Sequence, residues 1–359
     1  MQIFKKITFY FLSALIFFLI IIFIDLTLSN TILNYQSCNT HEDYYYELKK
    51  NCSSKYRFKK SFPLIDTFTD DMGLRIGKKY IKKDENKENI FIFGDSMTYG
   101  VGIEYEKTYA GLISNYFNNY NTYNFAVGSY SPTVHLYKLK KAMNSNIIPK
   151  KIFIFLDFSD VIDEAGRWYL DSETNIPRLR NKIHIKKESF VDKNFKLVKN
   201  IFAYINYNLR NFRSYLKKEI ANRDKIKTSI QSNFTYTDLN LLDQRFWEKD
   251  YFNNGIKNIE RNFDELKSIS KKNNFDIYLV IYPWAETLEF GQEKFNWSKF
   301  ANKLCNSENC FVIDTIPEFI SYKQKNNNWQ RELYFLNDEH FNVLGAKLLS
   351  EIVINYFKK

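Results

Sequence analysis

The sequence contains a serine in a setting that suits nucleophilic catalysis. Ser96 lies in the run FGDSMTYG (residues 93–100), directly after a short apolar stretch. A serine that follows a buried strand exposes its hydroxyl at the sheet edge where open α/β folds bind ligands, and backbone N–H groups there face any developing oxyanion. Taken alone, the segment is explained almost as well by an ordinary turn, because Gly, Asp and Ser form turns routinely.

A serine nucleophile needs a base that accepts its proton, and the chain has four histidines. Three stand in less suitable settings: His41 in a polar N-terminal stretch, His135 within a predicted helix and His184 in a basic segment. His340 lies before the last predicted helix, two residues after Asp338, and a carboxylate there can orient the imidazole. We predict His340 as the base and Asp338 as its orienting carboxylate, although a helix-start histidine is the more ordinary interpretation of this segment alone.

Short apolar runs that alternate with amphipathic segments dominate residues 89–359, the predicted catalytic domain. Strands are predicted at residues 90–93, 123–127, 151–156, 275–282 and 311–313, and helices at 106–116, 132–143, 255–272 and 343–356. This alternation predicts an α/β fold whose parallel sheet is covered on both faces. The pattern is interrupted at about 165–250, which we interpret as an insertion, helical at 202–220. Residues 31–88 are interpreted as a stalk and small N-terminal extension.

The N-terminus has the pattern of a membrane anchor. Lys5 and Lys6 precede an apolar run at about residues 7–28, and roughly 20 apolar residues span a bilayer as a helix. The run is longer than a signal-peptide core and is followed by no good cleavage site. We predict that residues 1–30 form a cytoplasmic tip and an uncleaved transmembrane helix, with the catalytic domain periplasmic or otherwise extracytoplasmic. A buried core helix is the less favoured alternative, because the segment is terminal and apolar on all sides.

The net charge of +11 does not by itself predict binding to nucleic acid. The lysines are scattered in pairs without a nucleic-acid-binding motif, which favours a solvated basic surface over attraction to an anionic membrane or glycan.

The four cysteines suit an oxidising compartment. Pairing of sequence neighbours predicts the disulfides Cys305–Cys310 and Cys38–Cys52. Zinc would need closer cysteine spacing and nearby histidines, so no metal is predicted.

Together, these segments resemble the SGNH (GDSL) hydrolase superfamily over about residues 89–160 and 255–359. The first block matches as Gly94, Asp95 and Ser96 with the following Thr and Gly, and the second runs from Asn124 to Pro132. The resemblance implies a three-layer α/β/α sandwich with a parallel, flavodoxin-like sheet. It also implies an oxyanion hole formed by the backbone N–H groups of Ser96 and Ser129, with Gly128 adjacent. Serine in place of glycine at 129 matters little unless the backbone needs a positive φ there.

Two blocks depart from the superfamily pattern. The third, G-x-N-D, becomes the run from Asp157 to Asp160, so that the hydroxyl of Ser159 stands where an asparagine amide would complete the oxyanion hole. In the last block, D-x-x-H, Asn337 occupies the usual Asp position and Asp338 gives D-x-H instead, which resembles the polysaccharide O-acetyltransferase relatives. Asn337 is the alternative orienting residue, in which case a Ser–His pair remains.

The resemblance implies an esterase or an O-acetyltransferase that forms an acyl-enzyme on Ser96 without a cofactor. The predicted substrate is a small ester or an acylated glycan of the cell envelope, with acetyl the expected acyl group. Transfer would require an acyl donor, for which a membrane-bound partner protein is a candidate. Trp284 and Asp157 are candidate substrate contacts, although a core tryptophan is an equal interpretation. A catalytically silent glycan-binding or assembly protein with the same fold is the alternative from another functional class.

Overall fold

A computed structural model describes residues 2–30, 38–41, 46–59, 62–80, 82–180, 251–290, 295–335 and 338–358, with single positions 194, 195, 197, 198, 201 and 205. The chain divides into two units, one formed by residues 1–37 and 184–229 and the other by residues 38–183 and 230–359. Apart from position 205, the helix predicted at 202–220 lies outside the described residues, as do His184, Asn337 and most of the predicted insertion.

The first unit contains helix α1 (Gln2–Asn30). Its segment Lys6–Ser29 is long and apolar enough to cross a membrane, which agrees with the predicted helix, while the crossing itself stays a prediction. Asp25 is the one carboxylate of this helix. It accepts the backbone N–H groups of Leu197 (2.8 Å) and Val198 (3.0 Å), so this polar group is hydrogen-bonded within an apolar setting.

The second unit begins with a folded extension. Strands β1 (Asn39–His41) and β2 (Tyr46–Leu48) form an antiparallel pair, and β3 (Ser53–Tyr56), β4 (Ile65–Thr69) and β5 (Arg75–Ile76) form an antiparallel sheet. The disulfide Cys38–Cys52, with Cα atoms 5.8 Å apart, joins the two and confirms that predicted pairing. These strands lie in the segment predicted as a stalk and small N-terminal extension. None of them was predicted individually, because they are too short for the apolar alternation that indicates a strand.

Five parallel strands form the central sheet: β6 (Asn89–Phe93), β7 (Asn121–Asn124), β8 (Pro149–Leu156), then β11 (Asp276–Ile281) and β12 (Cys310–Asp314). Between β8 and β11, the short strands β9 (Trp168–Leu170) and β10 (Pro177–Leu179) form a separate hairpin. The order across the sheet is β7-β6-β8-β11-β12, which is the flavodoxin-like order 2-1-3-4-5. The disulfide Cys305–Cys310 closes the turn before β12, with Cα atoms 4.9 Å apart, as predicted.

Helices cover both faces of this sheet. Their bounds in chain order are α2 (Ser96–Tyr99), α3 (Tyr109–Tyr116), α4 (Pro132–Asn144), α5 (Phe158–Ile162), α6 (Tyr251–Asn273), α7 (Ala285–Phe290), α8 (Trp297–Leu304), α9 (Ile316–Lys325), α10 (Trp329–Leu333) and α11 (Val343–Tyr356). Alternate strand residues face opposite cores: Phe91 and Phe93 pack with α4, α6 and α8, whereas Ile90 and Ile92 pack with α3, α9 and α11. The predicted three-layer α/β/α sandwich is confirmed.

Candidate active site

Ser96 is the first residue of α2, immediately beyond the end of β6. Asp95 caps this short helix by accepting the backbone N–H of Met97 at 2.8 Å. Gly94 allows the sharp turn between strand and helix, because a Cβ there would lie 1.9 Å from Oγ1 of Thr98. The spacing of the Gly-Asp-Ser-x-Thr run therefore follows from steric fit and helix capping, and both hold Ser96 at the carboxyl end of the central strand.

His340 lies beside Ser96, although the two residues are 244 positions apart. Its Nε2 is 2.8 Å from the Oγ of Ser96, and its Nδ1 is 2.5 Å from Oδ1 of Asp338. The same carboxylate oxygen also accepts the backbone N–H of His340 at 3.1 Å. The structure thus brings together the three residues predicted as nucleophile, base and orienting carboxylate, in the geometry that a Ser-His-Asp triad requires.

The charges around the triad keep Asp338 anionic and make His340 a stronger base. Burial alone lowers the pKa of His340, but the hydrogen bond to Asp338 and the charges of Glu339, Asp338 and Asp95 outweigh burial and raise it. Burial raises the pKa of Asp338, but the bond and charge of His340 and the hydrogen bond from Lys59 outweigh burial and lower it. His340 accepts a proton only when neutral, so base catalysis should fall as the pH drops through its raised pKa.

The loop of Gly128 and Ser129 adjoins the nucleophile. A Cβ at Gly128 would lie 3.7 Å from the Cβ of Ser96. Ser129 has φ +58°, in the left-handed region, so its serine does matter: this conformation costs a non-glycine residue about 1–2 kcal/mol. Two hydrogen bonds hold the loop, from the indole Nε1 of Trp168 to the Ser129 carbonyl (2.6 Å) and from the Tyr46 hydroxyl to the Gly128 carbonyl (2.6 Å).

Ser159, the predicted third oxyanion donor, directs its hydroxyl toward carboxylates. Its Oγ is 2.6 Å from Oδ1 of Asp157 and 3.2 Å from Oδ2 of Asp95. A hydroxyl has one proton to donate, and here that proton is taken by a carboxylate instead of being available to an oxyanion. The role of Ser159 as third donor stays a prediction that these hydrogen bonds do not support.

The prediction that Asp157 and Trp284 contact substrate stays a prediction that the structure does not support, because the two side chains are buried and hydrogen-bonded to each other. The Trp284 indole donates to Oδ2 of Asp157 at 2.7 Å, and the hydroxyl of Tyr282 donates to the same oxygen at 2.8 Å. Only 1% of Asp157 and 7% of Trp284 are exposed. The ring of Trp284 packs in the core formed by α3, α9 and α11, so it offers no exposed face to a sugar.

The buried carboxyl groups of Asp95 and Asp160, near Ser96, have raised pKa values. Burial and the neighbouring charge of Asp157 raise the pKa of Asp95 to about 7, against the opposing effects of His340, the Met97 N–H and Ser159. Burial, together with the charges of Asp157 and Asp95, also raises the pKa of Asp160 well above its ordinary value. Because Asp95 is adjacent to Ser96 in sequence, its ionisation near neutral pH adds negative charge next to the triad.

Asp338, Glu339 and His340 are the described group whose atoms lie close enough for metal ligation. Both ring nitrogens of His340 already have partners, Asp338 on one side and Ser96 on the other. A cation bound to His340 would displace one of these hydrogen bonds. The group therefore fits a triad better than a metal site.

Several residues near the triad had no sequence signal. Lys59 donates to Oδ2 of Asp338, the oxygen that His340 does not contact. Phe58 packs edge-on against the His340 ring at 5.2 Å between centroids. Tyr46 and Trp168, which hold the loop of Ser129, likewise lie in segments without a motif. All four belong to elements that meet the site only through the tertiary fold.

The two glycines beside Ser96 should differ in tolerance to alanine. We expect Gly94→Ala to lower the free energy of unfolding by about 1–3 kcal/mol through overpacking against Thr98. Gly128→Ala should change it by less than about 0.5 kcal/mol, because the added Cβ makes an ordinary contact at 3.7 Å. Chemical denaturation of both variants measures the difference, and equal stabilities would contradict the steric explanation of Gly94.

Searches with the sequence match no protein-family model and no curated protein. The chain is similar to solved structures that include a lipolytic protein of the G-D-S-L family from Veillonella parvula (TM-score 0.42, 11% identity, 76% of this chain and 99% of that one). Others are the acetyl xylan esterase AlAXEase (TM-score 0.40, 16% identity, 75% and 98%) and an acetylxylan esterase from Geobacillus stearothermophilus (TM-score 0.39, 11% identity, 77% and 95%). At these TM-scores, the fold assignment rests on the strand order and helix layers of the chain itself.

Proposed function

We propose that this protein is a serine-dependent acyl-ester hydrolase of the SGNH/GDSL type that works through an acyl-enzyme on Ser96. The observation that supports this most is the continuous chain from the Ser96 hydroxyl to His340 (2.8 Å) and on to Asp338 (2.5 Å). A serine and a histidine that only fill a turn and a helix start would not need this alignment. The half-buried Ser96 adjoins the loop of Gly128, where backbone N–H groups can face a reacting carbonyl.

In the proposed reaction, the Ser96 Oγ attacks the ester carbonyl carbon while His340 Nε2 accepts the hydroxyl proton. The negative charge that develops on the carbonyl oxygen is stabilised by the backbone N–H groups of Ser96 and Ser129. Collapse of this intermediate breaks the ester C–O bond, and the departing alcohol takes the proton from His340. Water then attacks the acyl-enzyme with His340 again as base, which releases the carboxylic acid and restores Ser96.

We further propose that the substrate is an acetylated glycan of the cell envelope. The apolar helix α1 is long enough to anchor the chain in a membrane, and two disulfides suit an oxidising compartment outside the cytoplasm. A tethered enzyme in that compartment meets envelope polymers at a high local concentration. Acetyl as the acyl group follows from the sequence resemblance.

The second candidate function is O-acyltransfer, in which a sugar hydroxyl replaces water in the second step. The D-x-H spacing is the specific feature that favours it, since Asp338, two residues from His340, contacts the imidazole. A membrane-bound donor protein could then supply the acyl group. Both reactions share the acyl-enzyme, so the triad alone does not distinguish them.

Incubation of the full chain in detergent with a chromogenic acetyl ester tests the proposal. We expect release of the chromophore that is blocked when a fluorophosphonate labels Ser96. An added oligosaccharide acceptor separates the two reactions: hydrolysis leaves it unmodified, whereas transfer gives an acetylated product visible by mass spectrometry. If neither occurs and Ser96 is not labelled, the hydrolase proposal fails and the glycan-binding alternative takes its place.

A further inference from the structure

A segment of the N-terminal extension packs against the triad. The ring of Phe58 lies 5.2 Å from the His340 ring and that of Phe62 lies 6.3 Å from it, both edge-on. Phe62 also packs against Phe335 at 4.3 Å between centroids. Lys59, beside Phe58 in sequence, is therefore held next to the catalytic histidine by aromatic contacts that do not depend on its own charge.

The ammonium of Lys59 donates to Oδ2 of Asp338. The side chain of Asp338 is only 2% exposed, while that of Lys59 is 50% exposed. The other oxygen of Asp338 faces the Nδ1 and the backbone N–H of His340. Each oxygen of this buried carboxylate thus has its own partner, one from the extension and one from the triad.

We propose that Lys59 is a positioning residue of the triad. It holds Oδ2 of Asp338, so that Oδ1 stays hydrogen-bonded to Nδ1 of His340. This inference rests on the proposed function, in which Asp338 orients the base. The terminal torsion of an aspartate is broad and roughly two-fold, so a carboxylate that is held on one side only can swing away from the imidazole. A bond to an ionised donor on the second oxygen restricts that motion.

Lys59 also balances the charge around the imidazole. Asp338, Glu339 (3.7 Å from Nδ1) and Asp95 all place negative charge toward His340. Lys59 brings a positive charge to this acidic surrounding. Without it, His340 would hold its proton more tightly and Asp338 would be protonated more readily, because each loses an opposing cation. Both effects move the loss of activity at low pH toward higher pH.

The test compares Lys59→Met with Lys59→Arg and with Lys55→Met as a matched control. Lys55 lies in the same extension but pairs with Asp66 at 2.8 Å, where both side chains are well exposed. The readout is the rate at which a fluorophosphonate labels Ser96 in the full chain in detergent. In that step a Ser96 O–P bond forms, the P–F bond breaks, fluoride leaves and His340 takes the serine proton. The rate therefore reports the base without knowledge of the natural substrate.

We expect Lys59→Met to lower the labelling rate about three- to tenfold at neutral pH, since the lost bond is charge-assisted but half-exposed. The deficit should be larger near about pH 6 than near about pH 8. Lys59→Arg should restore most of the rate and its pH profile, and Lys55→Met should match the wild type. Thermal unfolding of each variant shows that the protein measured is folded.

Three outcomes would overturn the inference. If Lys59→Met has the wild-type rate, or loses the same factor at every pH, Lys59 has no role or only a structural one, while the labelled wild type still supports the proposed function. If Lys59→Arg is as slow as Lys59→Met, the cation is not what matters. If the wild type is not labelled at Ser96, the proposed function fails and the inference fails with it.

Discussion

We expect Ser96→Ala to abolish turnover of the acetyl ester, with a loss of about 10⁴- to 10⁶-fold in kcat. The variant removes the hydroxyl oxygen on which the proposed acyl-enzyme would form, while the backbone N–H groups and His340 remain in place. Stability should change by less than about 0.5–1 kcal/mol, because the variant removes one hydrogen bond to His340 and no apolar contact. Initial rates with the chromogenic ester and a denaturation curve measure the two effects.

A serine elsewhere on the surface provides the control. Ser145, which follows α4, bonds only weakly to the Lys141 carbonyl at 3.3 Å among the described contacts. It precedes the amino end of β8, whereas Ser96 follows the carboxyl end of the neighbouring parallel strand β6. Ser145→Ala should keep the wild-type kcat. Full activity in Ser96→Ala would contradict the acyl-enzyme mechanism, and a large loss of stability would mean that the kinetic loss reports unfolding.

The triad was predictable from sequence because each of its residues stands beside a recognisable local signal. Ser96 follows an apolar strand within a capped turn, and His340 stands two residues from Asp338, before a helix. The sheet could be predicted because buried parallel strands are short apolar runs. Given that sheet, the meeting of the two segments followed, since the loops at the carboxyl ends of parallel strands share one edge.

The residues that support the triad were not predictable, because their contacts depend on tertiary packing. Lys59, Tyr46 and Trp168 reach the site from elements with no motif, and a lysine or tyrosine in a polar stretch gives no sign of its partner. Trp284 shows a related limit. The sequence allowed either a substrate contact or a core tryptophan, and only the structure shows that its indole turns inward and donates to Asp157.

The backbone of Ser129 also lay beyond sequence reasoning. The superfamily pattern indicated that a glycine was missing, but only the structure shows that position 129 has φ +58°. The bonds from Trp168 and Tyr46 account for this conformation, because strained residues persist where their surroundings over-determine them. The positive φ of Ser129 and the hydrogen bonds from Trp168 and Tyr46 therefore belong together. These two side chains stabilise a loop conformation that a glycine would adopt without strain.

The second large effect is expected for His340→Ala. Without the imidazole, the Ser96 hydroxyl loses the base to which it is hydrogen-bonded in the structure, so kcat should fall nearly as far as in Ser96→Ala, by about 10⁴- to 10⁶-fold. The double variant should be no slower than either single variant, because the two residues act as one unit. Initial rates of the two single variants and the double variant test this directly, and losses that multiply would show that Ser96 and His340 act independently.

The pH dependence provides a second test of His340 as the proposed base. Burial lowers the pKa of His340, but Asp338, Glu339 and Asp95 outweigh it and raise the pKa above the ordinary value. A raised pKa means that the inactive, protonated form persists to higher pH, so wild-type kcat/KM should rise through and above about pH 6.5. In His340→Ala the residual activity should lose this rise, because no imidazole remains to titrate beside Ser96. A residual rate that keeps the wild-type profile would assign the titration to another group, and Asp95, whose pKa lies at about 7, would then be the first to replace by asparagine.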